Sequence, residues 1–157
     1  MKIRALAAID SMQGLANKEG IPWDLPSDKR YVRRMTADGS LLMGFGTYKE
    51  LPKPLPGRYN YVYSNREISL RKGFYTVTDL KSFPDNAPEK LWVFGGAKTF
   101  AQTINYIDEI YITQLNHDFA CTKFFPAFKD DFELVSETKP QSENGIKYKF
   151  QIWRRKH

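Results

Sequence analysis

The stretch Ile21-Pro22-Trp23-Asp24-Leu25-Pro26-Ser27-Asp28 decides where the first helix begins, and with it the layout of the amino-terminal half of the chain. Proline fixes φ and has no N–H, so Pro26 suits the first position of a helix, whereas Pro22 favours an extended approach. The spacing therefore predicts a helix that starts near Leu25 and covers roughly residues 25–36.

Asp28 lies in the first turn of this helix, and its neighbours at helical spacing are apolar: Leu25, Tyr31, Val32 and Met35. A carboxylate on an apolar stripe is costly to bury unless a partner satisfies it. One interpretation is an acid that complements the helix dipole and stays in water. The other is a ligand-binding or proton-handling carboxylate in a cleft beside Trp23, with a pKa that burial can change. The pattern alone leaves both open.

The remaining pattern alternates strands with helices over the first two thirds of the chain. Strands are predicted at residues 3–9, 40–43, 59–63, 73–77, 91–94, 107–115, 131–137 and 146–154. Further helices are predicted after Thr47 as N-cap, over residues 78–82 with Thr78 as cap, and over residues 97–104. The alternation predicts an α/β fold: one domain, residues 1–157, with a mostly parallel central sheet of about eight strands and helices on both faces. The last two strands flank the polar turn Glu143-Asn144-Gly145, which predicts an antiparallel C-terminal hairpin.

Two predicted strands end in glycines that come immediately before a helix. Gly44-Phe45-Gly46 follows one strand, and Gly95-Gly96 follows another. Free N–H groups at a helix start bind anions, and open α/β sheets bind ligands beyond the carboxyl ends of their strands. A lone glycine turn is usually structural, but two such junctions in one small sheet predict a phosphorylated ligand. The loop at residues 10–22 is long enough to be functional, and we predict that it acts as a lid.

The composition excludes several classes of protein. Cys121 is the single cysteine among 157 residues, so no internal disulfide is expected and a reducing cytoplasm fits best. Two histidines and one cysteine supply no cluster of metal ligands, and no Gly-x-Ser-x-Gly motif is present. The apolar run that ends at Ile9 is too short for a signal sequence or a membrane span. The net charge of +6 suits an anionic partner. The charge alone does not show whether this is a phosphorylated ligand or nucleic acid, or whether it serves only solubility.

The sequence resembles the dihydrofolate reductase family from end to end. The segments that carry the resemblance are IPWDLPSD, RYVRRMT, LLMGFGTY, PLPGR, VFGGAKTF, YIT and FFP. The resemblance implies reduction of 7,8-dihydrofolate to 5,6,7,8-tetrahydrofolate by hydride transfer from NADPH, in folate and one-carbon metabolism. We expect a cytoplasmic monomer with a small-molecule substrate, no bound metal, and no nucleic-acid or membrane partner.

On this resemblance, the catalytic residues are Asp28, Trp23 and Thr113. Asp28 is implied to bind the 2-amino group and N3 of the pterin, and to favour protonation at N5 through a water that Trp23 helps to order. Thr113 is implied to hydrogen-bond the acid, and Arg58 to pair with the α-carboxylate of the substrate's glutamate. The other substrate-binding residues implied are Leu6, Ala7, Ile21, Lys29, Val32, Leu51, Leu55 and Phe94.

The resemblance places the cofactor at the two glycine junctions, with a cis peptide bond between Gly95 and Gly96. The cofactor-binding residues implied are Ala8, Leu15, Ala16, Gly44, Phe45, Gly46, Thr47, Ser64, Asn65, Arg66, Gly95, Gly96, Ala97, Lys98, Thr99 and Phe100. Our hypothesis is that Arg66, with Ser64 and Asn65, binds the 2′-phosphate and that Lys98 assists.

Several positions depart from the family's usual pattern. Ala16 replaces a lid glycine, Phe45-Gly46 replaces a basic pair often used on the cofactor phosphates, and Thr122-Lys123 replaces an Asp-Thr pair that ties the neighbouring loop to the lid. Val32 stands where a phenylalanine is usual, which predicts a roomier pocket and weaker binding of small antifolates. Lys29 stands where an apolar residue is usual and is a candidate to pair with the substrate's glutamate tail.

Two alternatives belong to other functional classes. A related reductase of another pterin or pyrimidine substrate would share the sheet and the glycine junctions without needing the Pro-Trp loop and the acid, and saturation with dihydrofolate separates the two. A basic nucleic-acid-binding module fits the net charge and the aromatic content. Its aromatic residues, however, lie in apolar patterns rather than among exposed basic residues, which disfavours it.

Overall fold

The computed structural model describes residues 2–66, 68–83 and 90–157. Within these ranges the strands are β1 (Lys2–Ile9), β2 (Gly14–Ala16), β3 (Ser40–Gly44), β4 (Asn60–Tyr63), β5 (Phe74–Val77), β6 (Lys90–Gly95), β7 (Glu109–Leu115), β8 (Lys123–Phe124), β9 (Phe132–Glu137), β10 (Gln141–Glu143) and β11 (Ile146–Arg155). The α-helices are α1 (Pro26–Met35), α2 (Phe45–Glu50) and α3 (Ala97–Thr103), and a 3₁₀ turn (Ile104–Tyr106) follows α3. None of the helices in these ranges is long and apolar enough to cross a membrane.

The central sheet is built around β1. Its strands lie in the order β10-β11-β7-β1-β6-β3-β4-β5, and β9 pairs with the second half of β11. Every neighbouring pair from β7 to β5 is parallel, whereas β11 runs antiparallel to β7, β9 and β10. This arrangement confirms the predicted α/β fold, with a mostly parallel sheet and antiparallel strands at the C-terminal edge.

Side chains of β1 alternate between two apolar layers, and different helices cover them. Ile3 and Ile9 cluster with Phe100 of α3 on one face of the sheet. Leu6 clusters with Tyr31 of α1 on the other face. Helices therefore cover both faces, as the sequence predicts.

The C-terminal edge contains one more strand than predicted. Asn144 and Gly145 have φ of 52° and 76°, the positive values that the two central residues of a type I′ turn require. This turn joins β10 to β11 with Glu143 opposite Ile146, while β9 pairs further along β11. The predicted antiparallel strands at the C-terminus are confirmed, but the turn joins β11 to β10 rather than to β9, the strand predicted to precede it.

The prediction that Thr47 caps the second helix is wrong. α2 begins at Phe45 with Gly44 at its N-cap, so Thr47 lies inside the first turn. The extended backbone of Gly44 leads directly into the helix without a side-chain cap. The glycine junction and the helix start therefore coincide.

The prediction of a short helix over residues 78–82, capped by Thr78, is also wrong. The segment contains a turn in which Asp79 accepts hydrogen bonds from the Lys81 amide and the Ser82 hydroxyl, at 3.0 and 2.8 Å. An aspartate that bonds the backbone two residues onward stabilises a turn in competition with a helix.

The loop predicted to act as a lid, residues 10–22, contains regular structure. Its strand β2 pairs with β8, with Gly14 opposite Phe124 and Ala16 opposite Lys123. The Thr122 amide also donates to the Ala16 carbonyl at 2.9 Å. The backbone therefore joins the lid to the neighbouring loop even though Thr122-Lys123 replaces the usual Asp-Thr pair.

Candidate active site

Helix α1 is held on the sheet by the apolar stripe predicted from its spacing. Leu25 is buried at the N-cap and Pro26 begins the first turn. One turn after Asp28, the buried ring of Tyr31 stacks on Phe150 of β11, with 4.0 Å between ring centroids. This contact fixes which face of α1 lies on the sheet, and Asp28 is on that face.

Asp28 is half-buried and bonded to the sheet. The Thr113 hydroxyl of β7 donates to Asp28 Oδ1 at 2.6 Å, and the described part of the chain offers the carboxylate no other hydrogen bond. Burial raises the pKa of Asp28, the Thr113 hydrogen bond opposes that rise, and the charge of Glu143 adds to it. The solvated first-turn acid is therefore excluded, and Asp28 is a carboxylate with one oxygen left for a ligand.

Trp23 lies near Ala8, the residue of β1 that pairs with Thr113 of β7. Its side chain packs in a small apolar cluster with Ala8 and Phe119, and its ring centroid is 5.2 Å from that of Phe119. Ala8, near the carboxyl end of β1, pairs with Thr113 across the two strands. The structure thus brings the three residues predicted as catalytic to one edge of the sheet.

Most of the apolar residues predicted to contact the substrate share one cluster between the sheet and α1. The members from that set are Leu6, Val32, Leu51, Leu55 and Phe94. Ala7 packs instead with the cluster on the opposite face of the sheet, and Ile21 is 61% exposed. Five of these seven residues therefore form one apolar wall, which Ala7 and Ile21 do not join.

Arg58 is half-buried between the end of α1 and the Pro-Leu-Pro-Gly turn. Its Nη1 donates to Thr36 Oγ1 at 2.8 Å and to the Arg33 carbonyl at 3.4 Å, and its Nε donates to the Pro56 carbonyl at 2.9 Å. Burial, and to a lesser extent the charge of Arg33, lowers the pKa of Arg58. These bonds orient the guanidinium while Nη2 donates to none of the described residues, so it is available to an anion.

Lys29 is exposed on α1. Its ammonium lies 3.6 Å from the carboxylate of Asp24, which is exposed as well. The pair is solvated, and contact between Lys29 and the substrate tail stays a prediction.

The two glycine junctions lie side by side at the carboxyl ends of β3 and β6. Met43 is opposite Gly95 in the register of these strands. A Cβ on Gly44 would lie 2.5 Å from Thr99 Oγ1 and 3.7 Å from the Gly96 nitrogen. Gly95 has a φ of 113°, and the peptide bond that joins it to Gly96 is cis. Glycine is required at both junctions, which leaves bare backbone facing the same edge.

Helix α3 starts at this bare backbone. Its first intrahelical bond runs from the Phe100 amide to the Gly96 carbonyl at 2.9 Å, so the amides of residues 97–99 have no partner within the helix. The Thr47 hydroxyl lies 3.7 Å from the Cβ positions built on Gly95 and Gly96. Adjacent N–H donors, a hydroxyl and side-chain-free backbone fit a diphosphate group.

The positively charged residues predicted to bind cofactor phosphates are exposed. Arg66 and Asn65 follow β4 in a bend, and the Arg66 amide donates to the half-buried Ser64 Oγ at 3.3 Å. Lys98 is exposed in the first turn of α3. Phe45 is 42% exposed, and its ring lies 5.6 Å from that of Tyr48.

The other predicted cofactor residues flank the junctions or belong to the lid. Leu15 and Ala16 are half-buried in β2, and Leu15 packs against the α3 side of the core. Ala97 is half-buried at the start of α3. Phe100 is a core residue, 2% exposed, whose ring edge would lie 3.3 Å from a Cβ on Gly95.

The sequence pattern does not predict Asp10, a buried acid at the edge of this site. Asp10 directly follows β1 and accepts hydrogen bonds from the amides of Gly14, Met12 and Phe119 at 2.7, 2.9 and 3.0 Å. An aspartate after a strand and before a glycine is a signal for a side-chain-closed turn. The bond to Phe119 joins residues 109 apart and has no local signal.

Glu143 is a second acid whose contacts the sequence pattern does not predict, although Glu143 belongs to the predicted hairpin turn. It accepts hydrogen bonds from the Ser27 amide and hydroxyl at 2.9 and 2.7 Å, one residue before Asp28. These contacts join residues 116 apart. The spacing of residues along the chain gives no sign of them.

Comparison with known proteins gives one family along the whole chain. The family model for dihydrofolate reductase matches residues 2–155. The dihydrofolate reductase of Bacillus subtilis (strain 168) is 30% identical over 99% of this chain and 95% of its own length. That of Staphylococcus aureus (strain Mu50 / ATCC 700699) is 29% identical over 96% of both chains. A Mycoplasmoides gallisepticum protein named segregation and condensation protein A is 31% identical over 98% of this chain, but the match covers 26% of that protein.

The family match therefore runs from the first strand to the last and includes the acid, the threonine and both glycine junctions. The two bacterial reductases match over nearly their full lengths. On this ground the chain belongs to the dihydrofolate reductase family.

Proposed function

We propose that Asp28 binds the pterin ring of dihydrofolate in this enzyme and that NADPH, rather than NADH, supplies the hydride. Membership of the family makes the chain an oxidoreductase that reduces dihydrofolate to tetrahydrofolate with a nicotinamide cofactor, in folate and one-carbon metabolism. The proposal concerns the residues that perform this reaction and the choice of cofactor.

The hydrogen bond from Thr113 to Asp28 is the observation that carries the proposal. It fixes one carboxylate oxygen against β7 and leaves the other without a donor from the described residues. A pterin offers two N–H donors, its 2-amino group and N3, in the arrangement that a carboxylate accepts. Charge-assisted bonds to these donors would offset the cost of burying Asp28.

Proton supply to the ring follows from the same carboxylate. The raised pKa of Asp28, caused first by burial, makes this group easier to protonate than an ordinary aspartate. We infer that Asp28 favours protonation at N5 of the pterin through a water molecule. Trp23, which packs beside Ala8 near the end of β1, would help to order that water.

The rest of the substrate would follow α1. The apolar wall of Leu6, Val32, Leu51, Leu55 and Phe94 suits the benzoyl ring. At the far end of α1, the oriented guanidinium of Arg58 suits the α-carboxylate of the glutamate. The order of acid, apolar wall and arginine matches the order of groups in dihydrofolate.

The cofactor site is proposed at the two glycine junctions. When bound, the cofactor supplies the hydride. The amides of residues 97–99 and the Thr47 hydroxyl would hold its diphosphate, and Ala8, Leu15 and Ala16 would face the nicotinamide. Arg66, with Ser64, Asn65 and Lys98, would bind the 2′-phosphate that distinguishes NADPH from NADH.

We further propose that the enzyme works as a cytoplasmic monomer whose partner is the small-molecule substrate, without a nucleic-acid or membrane partner. Cys121, the single cysteine, fits a reducing compartment. Sedimentation of the purified protein with and without its substrate tests the oligomeric state.

The test is the loss of reduced-nicotinamide absorbance when the purified protein is mixed with NADPH and dihydrofolate. Asp28→Asn removes the negative charge at nearly constant shape and should lower kcat/KM by about a hundredfold or more. Asp38→Asn is the matched control, because Asp38 is an exposed acid outside the predicted site whose ammonium partner, Lys90, is also exposed. It should change kcat/KM by less than about twofold, the size of a solvated pair.

Equal losses in the two variants would contradict the role of Asp28. Failure of dihydrofolate to saturate the wild-type enzyme would favour the related reductase of another pterin or pyrimidine. An unchanged ratio of kcat/KM for NADPH and NADH in Arg66→Ala would remove Arg66 from the cofactor site.

A further inference from the structure

The C-terminal hairpin caps the helix that carries Asp28. Helix α1 has Leu25 at its N-cap and no capping side chain of its own. Both oxygens of Glu143 take that role, accepting from the Ser27 amide and the Ser27 hydroxyl at 2.9 and 2.7 Å. A carboxylate at a helix N-terminus satisfies a free N–H and complements the helix dipole.

The same turn also holds the segment before the helix. The Asn144 side-chain amide donates to the Asp24 carbonyl at 3.0 Å. Asn144 and Gly145 are locked in a type I′ geometry, so the turn is a rigid support. Glu143 and Asn144 thus bind the chain on both sides of Pro26, immediately before the residue proposed to bind the pterin.

We propose that Glu143 is a positioning residue for Asp28: its carboxylate anchors the first turn of α1 to the hairpin and places a negative charge at Ser27, the residue before Asp28. The proposal rests on the proposed function of Asp28. It assigns the placement of Asp28, and the charge next to it, to a residue outside the ligand site.

Among the residues that the structure describes, Glu143 is the charged group that acts on Asp28. On the strand side, the hydroxyl of Thr113 is neutral. On α1, Tyr31 is buried with its pKa raised to about 12, first by burial, so it is neutral at physiological pH. Arg30 lies 3.9 Å from Glu143 and compensates its charge only in part, since the Arg30 side chain is 69% exposed.

The directions of the two pKa shifts agree with this geometry. The hydrogen bonds from the Ser27 amide and hydroxyl lower the pKa of Glu143, which keeps it ionised. Burial raises the pKa of Asp28, and the charge of Glu143 raises it further. The hairpin therefore contributes a fixed negative charge to the titration of a carboxylate on another element.

The experiment measures the ionisation of Asp28 directly and its effect on turnover separately. Carbon-13 carboxyl titration of the whole protein gives the midpoint of Asp28, and the pH profile of kcat/KM for dihydrofolate gives the midpoint of the reaction. Three variants are compared with wild type: Glu143→Gln, which removes the charge, Glu143→Asp, which keeps it, and Glu133→Gln. Glu133 is an exposed acid of β9 opposite Arg154, at the other end of β11.

We expect Glu143→Gln to move the Asp28 midpoint to lower pH, with Glu143→Asp staying near wild type and Glu133→Gln unchanged. Because the pH profile of kcat/KM is proposed to follow the ionisation of Asp28, the fall in kcat/KM with rising pH should also begin at lower pH in Glu143→Gln. A purely structural cap would change the height of the profile and the Tm without moving its midpoint.

An unmoved Asp28 midpoint in folded Glu143→Gln would overturn the inference, as would an equal shift in Glu133→Gln. If the Asp28 midpoint moved while the kcat/KM profile did not, the inference would stand and the proposed role of Asp28 in the reaction would be contradicted. The two failures are therefore distinguishable.

Discussion

Asp10 and Asp28 are both withdrawn from solvent near the carboxyl edge of the sheet, yet the protein satisfies them in different ways. Asp10 is fully buried and accepts three backbone N–H bonds, from Met12, Gly14 and Phe119. Asp28 accepts one hydroxyl bond, from Thr113. The difference separates a carboxylate whose partners lie within the protein from one that is left with a free oxygen.

The pKa shifts of the two acids have opposite signs for this reason. Burial raises the pKa of both groups. At Asp10 the hydrogen bonds from Gly14, Phe119 and Met12, with a smaller contribution from the Cys121 thiol, outweigh burial and lower the pKa. At Asp28 the single bond does not outweigh it. The supply of hydrogen bonds from the protein thus helps to distinguish a structural acid from a candidate catalytic one.

The Asp10 region joins the lid to the loop that carries Phe119 and Cys121. The Cys121 thiol is a partner of the carboxylate, and burial followed by Asp10 raises the pKa of that thiol to about 11. Together with the β2–β8 pairing, this contact takes the place of the Asp-Thr pair expected of the family. Asp28, by contrast, lies one helical turn before Val32 of the apolar wall and keeps one carboxylate oxygen without a donor from the described residues.

The largest expected effect is on the free energy of unfolding at Asp10. Asp10→Asn puts an amide NH₂ where backbone N–H donors converge, and it should lower the free energy of unfolding by about 2–4 kcal/mol. Asp28→Asn should leave it unchanged or higher, because it removes an under-satisfied buried charge. Urea unfolding at neutral pH measures both, and equal losses would break the distinction between the two acids.

Gly14→Ala tests the packing around Asp10 without changing any charge. A Cβ on Gly14 would lie 2.4 Å from Cys121 Cβ and 2.9 Å from Asp10 Oδ1, so the two loops must separate. We expect a loss of about 1–3 kcal/mol in thermal unfolding. The control is Gly46→Ala, since a Cβ there meets nothing within 4 Å. A Gly14→Ala variant as stable as this control would show that the lid is not held at Asp10.

On the Asp28 side, Val32→Phe should act on ligand binding rather than on stability. Val32 is half-buried in the apolar wall, and an added aromatic ring there should tighten a small antifolate by about 1 kcal/mol, roughly fivefold. Inhibition constants of wild type and variant measure this. Equal inhibitor affinity would refute the roomier pocket predicted from Val32.

The smallest effect is the pH dependence of stability, with opposite signs at the two acids. Since the pKa of Asp10 is below its ordinary value of 3.8, its stabilising contribution is present above pH 3.8 and is lost as pH falls through the lowered pKa. The contribution of Asp28, whose pKa is raised above 3.8, is present below pH 3.8 and is lost as pH rises through the raised pKa.

The deficit of Asp10→Asn in free energy of unfolding should therefore shrink in acid. The free energy of unfolding of Asp28→Asn, relative to that of wild type, should increase as the pH rises above 3.8. Urea titrations over this pH range measure both differences, and slopes of the same sign would contradict the two pKa directions.

The features of the fold that depend on local sequence pattern could be predicted from the sequence. The start of α1 at Pro26, its apolar stripe and the glycine junctions follow from properties of single residues and their neighbours. The predictions that Thr47 and Thr78 cap helices were wrong because several residue types can cap a helix or close a turn. Which of them does so depends on the surrounding backbone.

The partners of Asp10 and Glu143 could not be predicted in this way. Phe119 and Ser27 are brought to them by the order of strands in the sheet, across 109 and 116 residues. The bond between Thr113 and Asp28 spans 85 residues, and the family resemblance anticipated it where spacing alone did not.

The central claim is that Asp28, and not Asp10, is the carboxylate left for the substrate. The direct measurement is carbon-13 carboxyl titration of both acids in one sample, with and without saturating dihydrofolate. We expect the Asp28 resonance to shift on binding and its pKa to fall, because the ligand's N–H donors stabilise the ionised form, while Asp10 stays unchanged. An Asp28 resonance that dihydrofolate leaves unmoved would contradict the claim.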